Sequence, residues 1–249
     1  MTFIDKYLNR IYIHDNQEIN LEFLESLVKA HLKHIPFENL DIHLKKSILL
    51  HIDYLSNKIL DQKRGGYCFE LNGLFQNFLV QLGYDAQLIS VQVFSDENEY
   101  SPEFDHAAIL VQIEEDSFLV DVGFGDFTQI PLNIGETNIQ SDGSRKFQVR
   151  QDVEGFIVSE LDNQKVKPLY RFKKIFRKLE EFELRNEFHQ KSRNSHFHKK
   201  KIITRITDSG RITLTDDKLI IHKNGKKSEE LIRQSDFKDY LFRHFKIKI

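Results

Sequence analysis

The segment Arg64-Gly65-Gly66-Tyr67-Cys68-Phe69-Glu70-Leu71-Asn72 contains the only cysteine among the 249 residues of the chain. It is followed by one apolar helical face, formed by Leu71, Leu74, Phe75, Phe78, Leu79 and Leu82. Gly83 comes directly after this face, where a glycine commonly closes a helix. The pattern therefore predicts a helix that starts at Cys68 and stops at Gly83.

A cysteine at a helix start lies near free N–H groups and the positive end of the helix dipole, which favour thiolate over thiol. Gly65 and Gly66 permit a sharp turn just before it. Two interpretations of Cys68 follow. It is either a reactive nucleophile or a buried, inert cysteine, which is the commoner fate of a lone thiol.

The composition, with 40% hydrophobic and 30% charged residues and a formal net charge of −2, predicts a folded, soluble protein. So small a net charge attracts neither nucleic acid nor an anionic membrane. No apolar run is long enough to span a bilayer, and the first residues lack a signal-peptide pattern. One cysteine excludes an intrachain disulfide. We expect a cytoplasmic protein with a reduced thiol, either a monomer or a homodimer.

Helical periodicity dominates residues 1 to about 83, and a period of two dominates after about residue 86. Strands are predicted at 87–94, 106–113, 118–123, 147–151 and 156–160, with a polar loop at 95–104. These strands predict a small antiparallel sheet or barrel. Beyond them we expect a linking helix at 179–190, strands at 201–206, 211–215 and 218–222, and a final helix near 236–245.

Glu38 stands among apolar neighbours and therefore requires a partner for its charge. Arg64, just before the cysteine segment, is the candidate. We predict an ion pair between them that fixes the cysteine loop.

A nucleophilic thiol needs a base, and the base needs a third group to hold it. If Glu114-Glu115 is a two-residue hairpin loop, Asp121 faces Ala108 across the hairpin. His106 is two residues further on and shares the same face, so His106 and Asp121 are diagonal neighbours within reach. The alternative is an edge-strand histidine satisfied by the backbone.

Two other patterns have weaker functional interpretations. Residues 163–178 are rich in lysine and arginine, which indicates a solvated face or a contact for phosphate groups. His196 and His198 would share one face of a predicted strand, but no second cysteine joins them, so we expect no metal site.

Across about residues 1–215 the sequence resembles the bacterial arylamine N-acetyltransferases. The resemblance rests on Pro36-Phe37-Glu38-Asn39-Leu40, the segment from Arg64 to Asn72, His106, Asp121-Val122-Gly123-Phe124-Gly125 and Asn194-Ser195-His196-Phe197.

The resemblance implies an α+β fold around a catalytic core like that of the cysteine proteases. Its expected parts are an N-terminal helical domain at 1–84, a central antiparallel β-barrel at 85–178, an interdomain helix at 179–193 and a C-terminal α/β lid at 194–249.

The resemblance also implies a ping-pong reaction in which acetyl passes from acetyl-CoA to the thiol, and then to an arylamine, hydrazine or arylhydroxylamine. The implied catalytic triad is Cys68, His106 and Asp121. The implied acceptor pocket is formed by Phe37, Tyr67, Phe124 and Phe197, with Gly125 against the coenzyme.

Two other functions remain possible from the sequence. The order Cys, His, Asp is shared with cysteine hydrolases and transglutaminase-like enzymes, which release no coenzyme. A non-catalytic binding module would instead keep these residues as structure, and its cysteine would not react with iodoacetamide at neutral pH.

Overall fold

The computed structural model describes residues 1–14, 18–95, 99–162 and 165–249. Residues 96–98 of the predicted polar loop and residues 163–164 of the basic segment lie outside these ranges. The described α-helices are α1 (Phe3–Ile11), α2 (Leu21–His34), α3 (Leu40–His43), α4 (Ile52–Ser56), α5 (Cys68–Leu82), α6 (Glu183–Lys191) and α7 (Phe237–Phe245).

The strands fall into two antiparallel sheets. One contains β2 (Asp85–Val93), β3 (His106–Ile113), β4 (Asp116–Val120), β5 (Leu132–Asn133), β6 (Gln140–Ser141), β7 (Lys146–Asp152), β8 (Gly155–Asp162) and β9 (Lys165–Arg177). The other contains β1 (Phe37–Glu38), β10 (Ile202–Thr207), β11 (Gly210–Thr215), β12 (Lys218–Lys223) and β13 (Lys226–Leu231).

Helix α5 is the centre of the first part of the chain. Its predicted apolar face packs against α1, α4, β2 and β3, and Leu82 is the one member of that face that is only partly buried. Gly83 closes it in a left-handed conformation with φ 111°, and its N–H bonds the Leu79 carbonyl. The predicted bounds, Cys68 and Gly83, are therefore confirmed.

The larger sheet is a nearly closed barrel whose strands follow the order β5-β4-β3-β2-β9-β8-β7-β6. Its interior is filled by aliphatic and aromatic side chains, including Leu110 and Phe147. The two end strands meet through a side chain: the Gln140 amide accepts from the Asn133 N–H and donates to the Asn133 carbonyl, both at 2.8 Å. This amide takes the place of a missing strand pairing.

The hairpin register agrees with the prediction, because Ile113 pairs with Asp116 and Ile109 with Val120. The strand is shorter than expected. β4 ends at Val120, so the predicted strand residues 121–123 belong to the following loop. This loop turns toward the N-terminus of α5 instead of continuing the ladder.

The smaller sheet joins the two ends of the chain. β1 pairs with β10 through Phe37–Thr204 and Glu38–Ile203. Helix α7 packs against the apolar side chains of β10, β11 and β12. β13 was not predicted, since its six residues are all exposed and mostly charged and show no apolar alternation.

The linking segment also differs from the prediction. A 3₁₀ turn at Leu179–Phe182 precedes α6, in place of one continuous helix. Among the described residues, no helix combines the length and the apolar character needed to cross a lipid bilayer.

Candidate active site

Cys68 is the first residue of α5, and it is 2% exposed. Its backbone lies against Gly123, because a Cβ placed on Gly123 would come within 2.8 Å of the Cys68 Cα. Cβ atoms do not approach that closely, so this contact requires glycine. The loop after β4 is thereby brought to the start of α5.

Five charged side chains are buried around the segment before Cys68: Glu38, Asp41, Lys58, Arg64 and Glu70. Arg64 donates from Nε to Glu38 Oε1 at 2.8 Å and from Nη2 to Asp41 Oδ1 at 2.9 Å. Lys58 Nζ lies 2.7 Å from Asp41 Oδ2 and from Glu70 Oε1. The predicted Arg64–Glu38 pair is confirmed, and the other three members were missed.

Glu70 connects this charge network to the helix start. Its Oε2 accepts the Tyr67 N–H at 3.1 Å, which satisfies a donor that a helix N-terminus leaves free. Burial raises the pKa of Glu70 to about 7, although Lys58 opposes the rise. Because the network holds three carboxyl groups and two cations, a proton on Glu70 balances its charge.

His106 and Asp121 form the predicted pair, with Nε2 of His106 2.7 Å from Oδ2 of Asp121. Both residues are buried. The other carboxylate oxygen, Oδ1, accepts from the Gly123 N–H and from Nδ2 of Asn72, each at 2.9 Å. Since Nε2 is engaged with Asp121, Nδ1 is the ring atom left to exchange a proton.

Asn72 is a site residue that sequence reasoning did not single out. Besides Asp121, its Nδ2 donates to the Ala107 carbonyl at 2.7 Å, and its Oδ1 accepts the Val122 N–H at 3.0 Å. One side chain thus joins α5, β3 and the loop after β4. Its position four residues after Cys68, on the same helix face, was the available signal.

The pKa of the Cys68 thiol is raised by burial, and the Asp105 and Asp121 charges raise it further. The Phe69 N–H at the helix start opposes this rise. The net direction is opposite to the one that the helix start alone predicts. Deprotonation of this thiol therefore requires a nearby group that takes the proton and carries the compensating charge.

Cys68 and His106 line one cavity of ≈ 720 Å³. Three predicted aromatic residues form its walls: Phe37, Phe124 and Phe197. The Phe124 ring meets the His106 imidazole edge-on, with ring centroids 5.4 Å apart. Gly125 also lines the cavity. The predicted residues therefore meet around a single space that is wide enough for a ligand.

Tyr67 is the exception, because it does not line this cavity. Its side chain is completely buried, its hydroxyl bonds Asn186 Oδ1 on α6, and its ring meets Phe197 edge-on. Tyr67 thus lies behind the Phe197 wall, and its contact with an acceptor stays a prediction.

Of the described residues, three lysine or arginine side chains line the cavity, Lys200, Arg211 and Lys227, and all come from the C-terminal part of the chain. Arg211 donates to the Gly125 carbonyl and lies 3.2 Å from Asp126 Oδ1. None of the described residues of the basic segment at 165–178 lines it. That segment is strand β9 of the barrel and its continuation, and most of its cations point to solvent.

Within the described ranges, no group of three or more His, Cys, Asp or Glu side chains is arranged to hold a metal ion. His196 and His198 lie on a 3₁₀ turn, His196–His198, and not on the expected strand.

A buried thiol and a His–Asp pair that meet at one cavity define the class of enzymes that act through a cysteine nucleophile. Residues 20–249 match the family model described as N-acetyltransferase. A pineal gland arylamine N-acetyltransferase of Gallus gallus is 32% identical over 250 residues, covering 90% of this chain and 84% of the relative. The chain belongs to the arylamine N-acetyltransferase family.

Solved structures agree with this assignment. An arylamine N-acetyltransferase from Bacillus cereus, described as having a unique Cys-His-Glu catalytic triad, superposes with TM-score 0.92 at 26% identity over 100% of both chains. The Mycobacterium marinum arylamine N-acetyltransferase in complex with CoA gives TM-score 0.89 at 26% identity, over 98% of this chain and 92% of that one.

Proposed function

We propose that the chain transfers acetyl from acetyl-CoA to arylamines, hydrazines or arylhydroxylamines through a thioester on Cys68. The observation that carries the proposal is that Cys68 and His106 line one aromatic cavity, with Asp121 bonded to His106 behind its wall. Family membership supports the acceptor class, and the relative solved with CoA supports the donor.

The catalytic roles follow from the geometry. His106 takes the Cys68 proton on Nδ1, while Nε2 stays on Asp121, so the thiolate forms as an ion pair with imidazolium. The thiolate attacks the thioester carbonyl, the Cys68 N–H at the helix start stabilises the oxyanion, and CoA leaves with the proton from His106. The amine then attacks the acetyl-enzyme and gives one proton to His106, while Cys68 leaves as the thiolate and the ion pair is restored.

Different parts of the chain supply the different catalytic groups. We propose a helical domain at 1–84 that supplies the nucleophile, a barrel at 85–178 that supplies the base and its carboxylate, an interdomain helix at 179–193, and an α/β lid at 194–249. Helix α5, the β3–β4 hairpin and the Phe197 wall support this division.

The phosphates of the coenzyme require cations at the cavity. Lys200, Arg211 and Lys227 meet this requirement, and they replace the basic segment at 165–178 as candidates. Gly125, beside Arg211 and with φ 87°, keeps that wall free of a side chain. The cytoplasm is the proposed location, since it supplies acetyl-CoA and keeps the thiol reduced.

The proposal is tested by incubating the protein with acetyl-CoA and no amine. One acetyl group is expected on Cys68 by intact mass and peptide spectra, with one equivalent of CoA released. Cys68→Ala is the control and should gain none. Acetyl groups found on lysines only, with a bare Cys68, would exclude the transferase. No reaction of Cys68 with iodoacetamide at neutral pH would support the binding module.

Phe197→Ala is expected to raise the ratio of acetyl-CoA hydrolysis to amine acetylation several-fold. The waiting thioester must be kept from water, and Phe197, 8% exposed, closes one side of the cavity. The measurement is CoA release with and without an arylamine. Phe242→Ala, in the same part of the chain but 45% exposed, is the matched control and should leave the ratio unchanged.

An unchanged ratio in Phe197→Ala would remove Phe197 from the barrier against water. This substitution is a sharper test than truncation near residue 193. Truncation would also remove β10, the pairing partner of β1, and the carbonyls of Phe197 and Lys200 that bond Asn39.

A further inference from the structure

Asp105 is a second carboxylate at the cavity, next in sequence to His106. It is 9% exposed and lines the cavity together with Cys68 and His106. Its Oδ1 accepts from Nε of Arg185 at 2.6 Å and lies 3.3 Å from Nε2 of His189. Both partners belong to α6, so these contacts join that helix to the start of the strand that carries His106.

His189 extends these contacts to the opposite wall of the cavity. The residue is completely buried, and its Nδ1 lies 3.0 Å from Oγ of Ser195. The same Oγ accepts the Phe197 N–H at 3.3 Å. A continuous set of polar contacts thus runs from Asp105, through α6, to the aromatic wall that Phe197 forms.

Asp105 carries a fixed negative charge at this position. Burial alone would raise its pKa, but the hydrogen bonds and charges of His189 and Arg185 hold the pKa below its usual value. Asp105 is therefore ionised at neutral pH. After burial, its charge is the largest cause of the raised pKa of the Cys68 thiol, ahead of Asp121.

The groups that face the thiol and Asp105 come from every element packed around them. Those facing Cys68 are Asp105 and His106 at the start of β3, Asp121 after β4, and Tyr67 and Glu70 at the start of α5. Those facing Asp105 are Arg185 and His189 on α6 and His196 in the following turn.

We propose that Asp105, held by Arg185 and His189, is a positioning residue that sets the pH range in which Cys68 and His106 exchange their proton. The inference rests on the catalytic roles proposed above. A fixed negative charge favours the protonated form of every group it faces, whichever of the two groups holds the proton. Removing Asp105 and removing Arg185 should therefore act in opposite directions.

The test is the rate of Cys68 alkylation by iodoacetamide from about pH 5 to about pH 9, which covers the ordinary imidazole and thiol pKa values. Asp105→Asn is expected to move the acid limb of the profile down by about one pH unit. Arg185→Gln removes the positive charge that partly offsets the charge of Asp105, so it should move the acid limb to higher pH. Asp53→Asn, whose side chain is 95% exposed, is the charge-matched control and should not move it.

Shifts of opposite sign in the two variants would support the inference. A limb that stays in place in both, even with slower rates at every pH, would show that the cluster only packs the fold and would overturn it. The Arg185 side chain is 22% exposed, so its replacement disturbs the core less than that of Asp105. If Asp105→Asn does not fold, the direction in which Arg185→Gln moves the acid limb decides the question. Failure of Cys68 to accept acetyl from acetyl-CoA would refute the proposed function, while the alkylation profiles would still decide this inference.

Discussion

Replacing His106 by glutamine is expected to lower the rate at which acetyl-CoA acetylates Cys68 by about 10⁴-fold. Burial and two nearby carboxylates raise the pKa of the thiol, so a protonated cysteine is the resting state once the base is gone. Glutamine keeps most of the volume but cannot take the proton. The rate is measured by CoA release during a single turnover, with far-UV circular dichroism to confirm folding.

Asp121→Asn should give a loss of similar size by a different route. An asparagine Nδ2 in place of the carboxylate oxygen would donate a hydrogen bond to His106 Nε2. The imidazole would then carry its proton on Nδ1, and Nδ1 could not accept the proton of Cys68. His51→Gln, with a 73% exposed side chain, is the control and should keep the wild-type rate. Acetylation of the His106→Gln variant at the wild-type rate would remove His106 from the proton transfer.

Lys58→Met is expected to destabilise the folded chain by about 3–5 kcal/mol, measured by urea unfolding. The lysine is 4% exposed and pairs with Asp41 and Glu70, which would be left buried without it. Lys29→Met is the matched control. Its lysine pairs with Glu25 at the surface with a 49% exposed side chain, so its loss should cost less than about 1 kcal/mol. Equal losses in both variants would contradict the role given to the buried network.

Glu70→Gln tests the same network through pH. The folded-state pKa of Glu70, about 7, is above its ordinary value of 4.5. The stability it contributes is therefore complete below pH 4.5 and is lost as pH rises through 7. The variant should lack this decline, so its unfolding free energy should change less than that of the wild type across the window. A parallel decline in both proteins would argue against a raised pKa.

The parts of the site that the sequence predicted depend on local spacing. The period of the apolar residues and Gly83 set the bounds of α5, and the loop length set the hairpin register that brings Asp121 within reach of His106. The Arg64–Glu38 pair followed from one charge in an apolar setting. Each of these predictions depended on a single helix, a single hairpin or a single charged residue in an apolar setting.

The remaining parts depend on long-range packing. Lys58, on the π-helical turn Asn57–Asp61, reaches Glu70 only because α4, which leads into that turn, packs on α5. Asp105 meets its partner Arg185 across 80 positions. The direction of the thiol pKa was missed for the same reason, since a helix start is visible in sequence and the burial of Cys68 is not.

The pairing between β1 and β10 has a consequence for how the protein is made. Asn39, beside β1, bonds the Ile202 N–H, which lies 163 positions later in the chain. At a synthesis rate of about 5–20 residues per second, a ribosome needs roughly ten to thirty seconds to cover that interval. Cys68 is translated early in that interval, while Phe197 and β10 are translated only at its end. The nascent chain therefore carries its nucleophile well before the Phe197 wall of the cavity is made.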